Sequence, residues 1–484
     1  MCAGPTPPLV AVAGEVLLAG ETEVLEDEAR ETPLQSPQRP SGRGSIGPDY
    51  RKWAVVGGGL LGLTLALRLA QQGQNVTLIE AADHLGGLAD AWRLGDVVWD
   101  RHYHVTLLSD THLRRILEEI GVEKEMVWSR TGSTFYADGV LYPFSGVMDY
   151  IRLPILSPLD KMRLGATILH ASRLKDPRRL ETILIEPWLT ALSGRRAFDR
   201  FWRPLLEAKL GDNYHKTAAA FMWATIQRFR AFHRSGLKTE MCGYAPGGYA
   251  GILEAFARTL GAKGVRIALS SPVSRVERAE GSLRITYASG AAEEFDRVVV
   301  TAAAPVAARM CPGLRENELS RLRSIDYMGI VCASALLRKP LSNTYLTYIT
   351  DPAIPLTGIV EMSALVDRSQ FNGHALVYLP RYVTAKDPFL NHTDEEVESM
   401  FLAALAKVHP HFSPDDVLCF KVSRVRNVTH VLTLNYSDAL PPMSTSIPGL
   451  SIVNSAHIVY GTLNVNETVK LAEDAVPRLL RQTA

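Results

Sequence analysis

The sequence predicts an α/β protein: a Rossmann-like layer of parallel strands and helices, interrupted by an inserted mixed α+β segment and a helical cap. Three observations carry this. Residues 53–80 read as strand, glycine turn, helix, strand and terminal acid. The run Asp296-Arg-Val-Val-Val-Thr-Ala-Ala-Ala-Pro305 reads as a second buried parallel strand leaving into a tight turn. Between them, from about Met148 to Arg234, apolar residues fall at three- and four-residue spacing with prolines at segment starts, which is a helical pattern.

The first unit is the most informative. The apolar run Trp53 to Val56 stops at three glycines, a helix-compatible stretch runs from Leu60 to Gln72, and Val76 to Ile79 follows with Glu80 at its end. The glycines fall as G-x-G-x-x-G at Gly57, Gly59 and Gly62. Gly57 permits the tight turn, Gly59 lets backbone approach a pyrophosphate, and Gly62 lets the helix sit close on the strand. The helix N-terminus offers unpaired N–H groups to phosphate. At the end of the second strand, Glu80 can accept hydrogen bonds from both hydroxyls of an adenosine ribose, and it would repel a 2′-phosphate.

Beyond Glu80 comes Ala-Ala-Asp-His-Leu and the pair Gly86-Gly87. This resembles the E-x5-G-G extension of two-dinucleotide-domain flavoproteins, and the chain from here is similar to the flavin-containing amine oxidase superfamily. That group includes amine oxidases, protoporphyrinogen oxidases, carotenoid desaturases and, more distantly, UDP-galactopyranose mutases. At Leu88 the chain departs from the Arg or Lys that many members carry. The resemblance implies FAD as the cofactor. No cysteine stands near the C-terminus, so the FAD is expected to be non-covalent.

Composition excludes other classes. Formal net charge is +1, so no global field recruits nucleic acid. The cysteines, Cys2, Cys242, Cys311, Cys332 and Cys419, form no C-x-x-C pair, which fits a reducing, cytoplasmic compartment and suggests neither a disulfide framework nor a structural zinc site. No stretch reaches the apolar length of a membrane span. Residues 1–50, rich in proline and with an acidic run from Glu21 to Glu31, read as a disordered tail.

The remaining elements follow in order. Trp92 to Leu94 and Val97 to Trp99 are short extended runs hinged at Gly95-Asp96, and Asp138-Gly139 is a hairpin turn signal. After Tyr244-Ala-Pro-Gly-Gly-Tyr comes an amphipathic helix (Gly251 to Leu260), then a strand ending near Leu269. Val273 to Glu277, Leu283 to Tyr287 and Glu294 to Thr301 read as a β-meander. Leu450 to Asn454 is a strand, and Asn464 to Arg481 a closing helix with Asn464 as N-cap and Glu467 at capping-box spacing. The resemblance implies a discontinuous FAD-binding domain in three parts, 51–145, 244–315 and 441–484. Residues 146–243 would form the helical cap and first part of the substrate domain, and 316–440 the second part. It also implies that Val273 lies along the adenine, and that the closing helix aims its N-terminus, with Asn464 and Asn466, at the flavin pyrimidine ring.

For catalysis the candidates are His102 and His104 in Asp100-Arg-His-Tyr-His. An H-x-H spacing on a strand puts both imidazoles on one face, which would suit a metal, but no third ligand stands nearby and no metal is expected. The resemblance instead places this segment before the isoalloxazine ring, for proton transfer or substrate orientation. No second strand-linked G-x-G-x-x-G appears, so a separate NAD(P)H module is not indicated and the electron acceptor stays open among oxygen, a quinone or another diffusible oxidant. The expected activity is hydride transfer from a small organic substrate, apolar in several relatives, to flavin N5. One alternative is a mutase-like isomerase using reduced flavin, with Arg195, Arg196 and Arg203 for a diphosphate. Another is a flavin-fold binding protein without turnover. The cap segment 150–170 combines apolar residues with Arg152, Lys161 and Arg163, and comparable segments of relatives contact a membrane.

Overall fold

A computed structural model describes residues 51–233 and 241–481. The expectation for residues 1–50 lies outside them. The first sheet is parallel and holds five strands: β1 (Lys52–Val56), β2 (Asn75–Ile79), β3 (Arg266–Ala268), β4 (Arg297–Val300) and β5 (Leu450–Ile452). Their spatial order is β3-β2-β1-β4-β5, so β1 sits at the centre, with β2 and β3 on one side and β4 and β5, from the middle and end of the chain, on the other. The alternation of these strands explains their two covers. Trp53, Val55, Val76, Leu78 and Val299 pack against α1 (Leu60–Gln71), α2 (Gly248–Ala262) and α3 (Val465–Arg481). Ala54, Val56, Ile79, Val298 and Val300 face the opposite way, toward Val276, Leu283, Ile285 and Phe295 of a three-stranded meander.

That meander consists of Val273–Arg278, Leu283–Tyr287 and Ala292–Phe295. The run from Glu294 to Thr301, expected to be one strand, divides at Asp296: its first part closes the meander and its second is β4. Asp296 makes the corner, where its carboxylate accepts from Lys52 N at 2.7 Å and its own N–H donates to Lys52 O at 2.9 Å.

A second sheet of seven strands runs in the order 417–430, 327–337, 375–384, 358–361, 346–349, 133–137, 140–143. The expected hairpin does form at Asp138-Gly139, both at positive φ (50° and 79°), but it joins this sheet beside Leu346–Ile349 rather than the parallel layer. Sequence distance misleads here, since a hairpin pairs locally and can dock on either sheet. The long strand Tyr327–Leu337, second in this order, is buried throughout because both faces are covered. Val331, Ala333 and Ala335 meet Phe401 and Leu405 of the helix Asp394–Val408, while Ile330, Cys332 and Leu336 look toward Leu94, Val97 and Trp99.

The cap is helical, as its spacing predicts. Pro158–Arg173 begins with a capping box at Ser157 and Asp160, then Ile185–Ser193, Arg203–Leu210 and Ala219–His233 follow. Trp202 Nε1 and Thr167 Oγ1 both reach Ser193 Oγ at 3.0 Å, which ties Pro158–Arg173, Ile185–Ser193 and the turn leading into Arg203–Leu210 at one buried hydroxyl. Among the described residues, no helix is long and apolar enough to cross a membrane.

Candidate cofactor and substrate site

The loop after β1 is shaped by what glycine lacks. Gly57 has φ 116°, and a Cβ there would stand 2.2 Å from Thr301 Oγ1. Thr301 itself is fixed across the β1–β4 seam, its N–H and Oγ1 both donating to Val56 O at 2.9 Å. A Cβ on Gly62 would meet Gly57 O at 1.8 Å, so α1 lies on the turn with no gap. Gly59 is the N-cap of α1; no side chain caps the helix and no acid sits in its first turn, leaving the N–H groups and the positive dipole end uncovered by side chains.

Gly86 and Gly87 close the cradle. Gly86 N donates to Gly58 O at 3.0 Å, and Gly59 and Gly86 form a parallel bridge. Gly87 is at φ 60°, where a Cβ would stand 3.2 Å from Gly59 Cα. Glu80 anchors the rim: its Oε2 accepts from Gly58 N at 2.5 Å and its Oε1 from Ala82 N at 2.9 Å. The backbone of Ser270 and Ser271 bonds to Ala82 O and Glu80 O at 2.7 and 2.8 Å, which holds the strand beginning at Val273 beside that carboxylate.

At the C-terminal end, Asn464 Oδ1 accepts from Glu467 N at 3.0 Å, the expected cap of α3. Asn466 differs from expectation. It is 7% exposed, and its Oδ1 accepts from His112 N (3.0 Å) and Leu113 N (3.2 Å). The first turn of the helix Thr111–Glu119 needs acceptors, and Asn466 supplies one, so its carbonyl is committed to a neighbouring helix. Asn454 similarly bonds Ala456 N and Ala302 O, joining the ends of β4 and β5.

His102 and His104 lie in the irregular link between Val97–Asp100 and Thr106–Leu107, not on a strand as their spacing suggested. His102 Nδ1 donates to Leu88 O at 3.2 Å, and its Nε2 stands 3.2 Å from Ser423 Oγ. His104 Nδ1 donates to His102 O at 2.9 Å, and its ring packs 5.0 Å from that of Tyr249. Burial pushes both imidazoles down to about 4, so both are neutral at pH 7. Just before them, buried Asp100 is pushed up to about 7 by desolvation, while Tyr249 N donates to its Oδ1 at 2.7 Å. Tyr378 OH donates to Asp100 O at 2.6 Å and Arg101 N to Asp90 O at 2.8 Å. The segment is thus held from the glycine loops, α2 and the larger sheet together.

The cap meets the larger sheet at Lys209. Its Nζ lies 3.4 Å from the centre of the Tyr382 ring, and Tyr382 OH is 3.4 Å from Tyr103 OH. This cluster was not legible as a cluster, because Tyr103, Lys209 and Tyr382 come from distant parts of the chain and no spacing links them. The arginines considered for a diphosphate are otherwise engaged: Arg195 pairs with Glu186 and Asp199 at 3.0 Å, Arg196 with Asp160 at 3.4 Å, and Arg203 with Asp199. Among the described residues, no group of three His, Cys, Asp or Glu side chains is placed to hold a metal.

Residues 62–467 match the family described as flavin containing amine oxidoreductase, so the chain belongs to that family, a class of FAD-dependent oxidoreductases. Among individual relatives, a zeta-carotene desaturase of Capsicum annuum is 23% identical over 57% of this chain and 51% of its own length. A coproporphyrinogen III oxidase of Propionibacterium freudenreichii is 23% identical over 42% of this chain and 40% of its own. The chain spans about a third to a half of the length of the zeta-carotene desaturases it matches. Solved structures share the fold over most of their length. An oxidoreductase from Methanosarcina mazei gives a TM-score of 0.69 at 17% identity, covering 88% of this chain and all of that one. Putrescine oxidase bound to putrescine gives 0.68 at 16% (89% and 99%), and reduced UDP-galactopyranose mutase 0.70 at 15% (89% and 96%).

Proposed function

We propose that the protein binds FAD non-covalently and removes hydride from a carbon of a small organic substrate. The observation that carries this reading is the contact of two glycine motifs, backbone to backbone, at the uncapped N-terminus of α1. Bare backbone and a positive helix end suit a pyrophosphate, and Glu80 suits a ribose bearing free hydroxyls. Gly57, Gly59, Gly62, Glu80, Gly86, Gly87 and Val273 would hold the cofactor, with Asn464 at the head of α3. When bound, the flavin supplies two-electron chemistry at its N5 atom.

The chain's own part is to orient and to exclude water. His104, with its Nδ1–H committed to His102 O, presents Nε2 as an acceptor toward a substrate N–H or O–H. A neutral imidazole in this state orients without adding charge. Hydride acceptance is favoured over the mutase reading because the cap arginines are paired with carboxylates of the cap itself.

The apolar surface of the cap suits peripheral membrane contact. Met148, Ile151, Leu159 and Met162 are 48%, 47%, 51% and 70% exposed, flanked by Arg152, Lys161 and Arg163. Such a placement fits a substrate drawn from lipid.

The visible spectrum of the purified protein, before and after heat release of its cofactor, tests the reading. An oxidised-flavin spectrum with FAD in the supernatant, and bleaching under anaerobic conditions by an oxidisable substrate, is the expected result. A colourless protein that takes up no added FAD overturns it.

A further inference from the structure

Several cationic side chains of the cap are paired within the cap or against its neighbours, and others, such as Arg152, Arg163, Arg178 and Arg179, are exposed to water. Arg195, Arg196 and Arg203 have carboxylate partners, Lys216 pairs with Asp326 at 2.6 Å, and Lys161 Nζ donates to Ile151 O at 2.6 Å. Lys209 is different. It is half-buried, yet among the described residues no carboxylate lies within ion-pair distance and no acceptor receives any of its three N–H donors. Its one recorded partner is the face of Tyr382. Attraction to a ring offsets part of the desolvation of an ammonium, but it satisfies none of those donors.

Its position is fixed rather than incidental. Thr357 Oγ1 donates to Ala208 O at 2.8 Å and accepts from Tyr382 N at 3.1 Å, so the last turn of Arg203–Leu210 is clamped to the strand Ala375–Thr384. The ammonium therefore stands at the junction of cap and sheet. The Tyr382 and Tyr103 hydroxyls lie on the same patch, 3.4 Å apart, a long contact that leaves both with spare hydrogen-bonding capacity. Tyr103 is the residue between the two candidate histidines.

We propose that Lys209 is a substrate-binding residue. Its ammonium, with the Tyr382 and Tyr103 hydroxyls beside it, receives an anionic oxygen group of the substrate, a carboxylate or a phosphate. The substrate is then an acid with an oxidisable carbon, not a neutral hydrocarbon. This assignment rests on the oxidoreductase reading above and names the class of its substrate.

Calorimetric titration of the purified holoprotein with benzoate, pyrophosphate and the neutral benzamide tests it. The wild type is expected to bind benzoate or pyrophosphate, more weakly as salt is raised, and to bind benzamide at least about tenfold more weakly. The better of the two anions assigns carboxylate or phosphate. Lys209→Met should lose about tenfold or more in anion affinity and Lys209→Arg only a few-fold, with Glu207→Gln, on the same helix, unchanged. Equal binding of benzamide and the anions, wild-type affinity in Lys209→Met, or no anion binding at about 10 mM each overturns the proposal. Should Lys209→Met give no soluble protein, the wild-type ranking and Lys209→Arg decide it. Absence of flavin from the wild type overturns the oxidoreductase reading itself. A flavin-loaded protein indifferent to Lys209→Met overturns only the assignment of Lys209.

Discussion

The cradle at the end of β1 and the side-chain groups at His104 and at Lys209 are built from different materials. The cradle is backbone: glycines brought within contact, an uncapped helix end, and one carboxylate holding two N–H groups. The other set is side chain: imidazoles, phenols and an ammonium drawn from a link, a cap helix and a strand. A backbone site recognises what every dinucleotide shares, and apart from Glu80 it has no side chain to vary. A side-chain site can change its ligand one residue at a time.

Each part of that contrast can be broken separately. The largest effect is expected from Gly62→Val. A branched side chain cannot fit where a Cβ would stand 1.8 Å from Gly57 O, and displacing α1 costs about 3 kcal/mol or more. Flavin content after purification should fall to background. Acid should act on the other side of the comparison. His102, His409 and His430 are each under a tenth exposed and, like His104, are pushed down to about 4 by burial. Their unfolded forms take up a proton below about pH 6.5 while the folded forms do not, so stability is lost as pH falls from about 6.5 toward 4, by several kcal/mol in sum. Asp100, raised to about 7, opposes this. Its unfolded form releases a proton above about pH 4, earlier than the folded form does, so its share is lost as pH rises. Urea midpoints across that window should therefore rise with pH, and more steeply in Asp100→Asn.

Glu80→Ala removes an anionic acceptor from Gly58 N and Ala82 N, worth about 2 kcal/mol, and should weaken FAD binding roughly thirtyfold by equilibrium titration of the apoprotein. The smallest change belongs to Asn466→Ala. Loss of the acceptor for His112 N and Leu113 N should cost about 1 kcal/mol in thermal stability. FAD affinity should stay as it was, which separates a helix cap from a cofactor contact.

The same contrast explains what could be read from the chain. The β-α-β unit was legible because its chemistry is local: a turn needing positive φ at Gly57, a close approach at Gly62 and an acid ending β2 are all set by spacing. The parallel run at Val298 to Val300 was legible as continuous burial, although the break at Asp296 was not, since a corner needs only one hydrogen-bonded residue. His102 and His104 could be named from their motif. Their link conformation could not, because it depends on Leu88 O, Ser423 and the brace of Asp100 by Tyr249 and Tyr378. Asn466 was misleading for a related reason: capping spacing identifies the start of α3 but not a second helix that borrows its neighbour's amide. Tyr382 gave no signal at all, being one aromatic residue in a largely apolar, largely buried strand.

The edge strand β5 carries a consequence for how the molecule is made. It is drawn from residues 450–452, yet it pairs with β4 and completes the sheet whose centre, β1, comes nearly 400 residues earlier in the chain. At ordinary synthesis rates the glycine turn waits roughly half a minute or more for that last strand and for α3. During this interval the apolar residues α1 presents to α3 have no cover. Folding of this layer must therefore wait until residues 450–481 have emerged, and a chain cut short before Leu450 leaves the binding loop intact in sequence but without the edge strand and the helix that complete its layer.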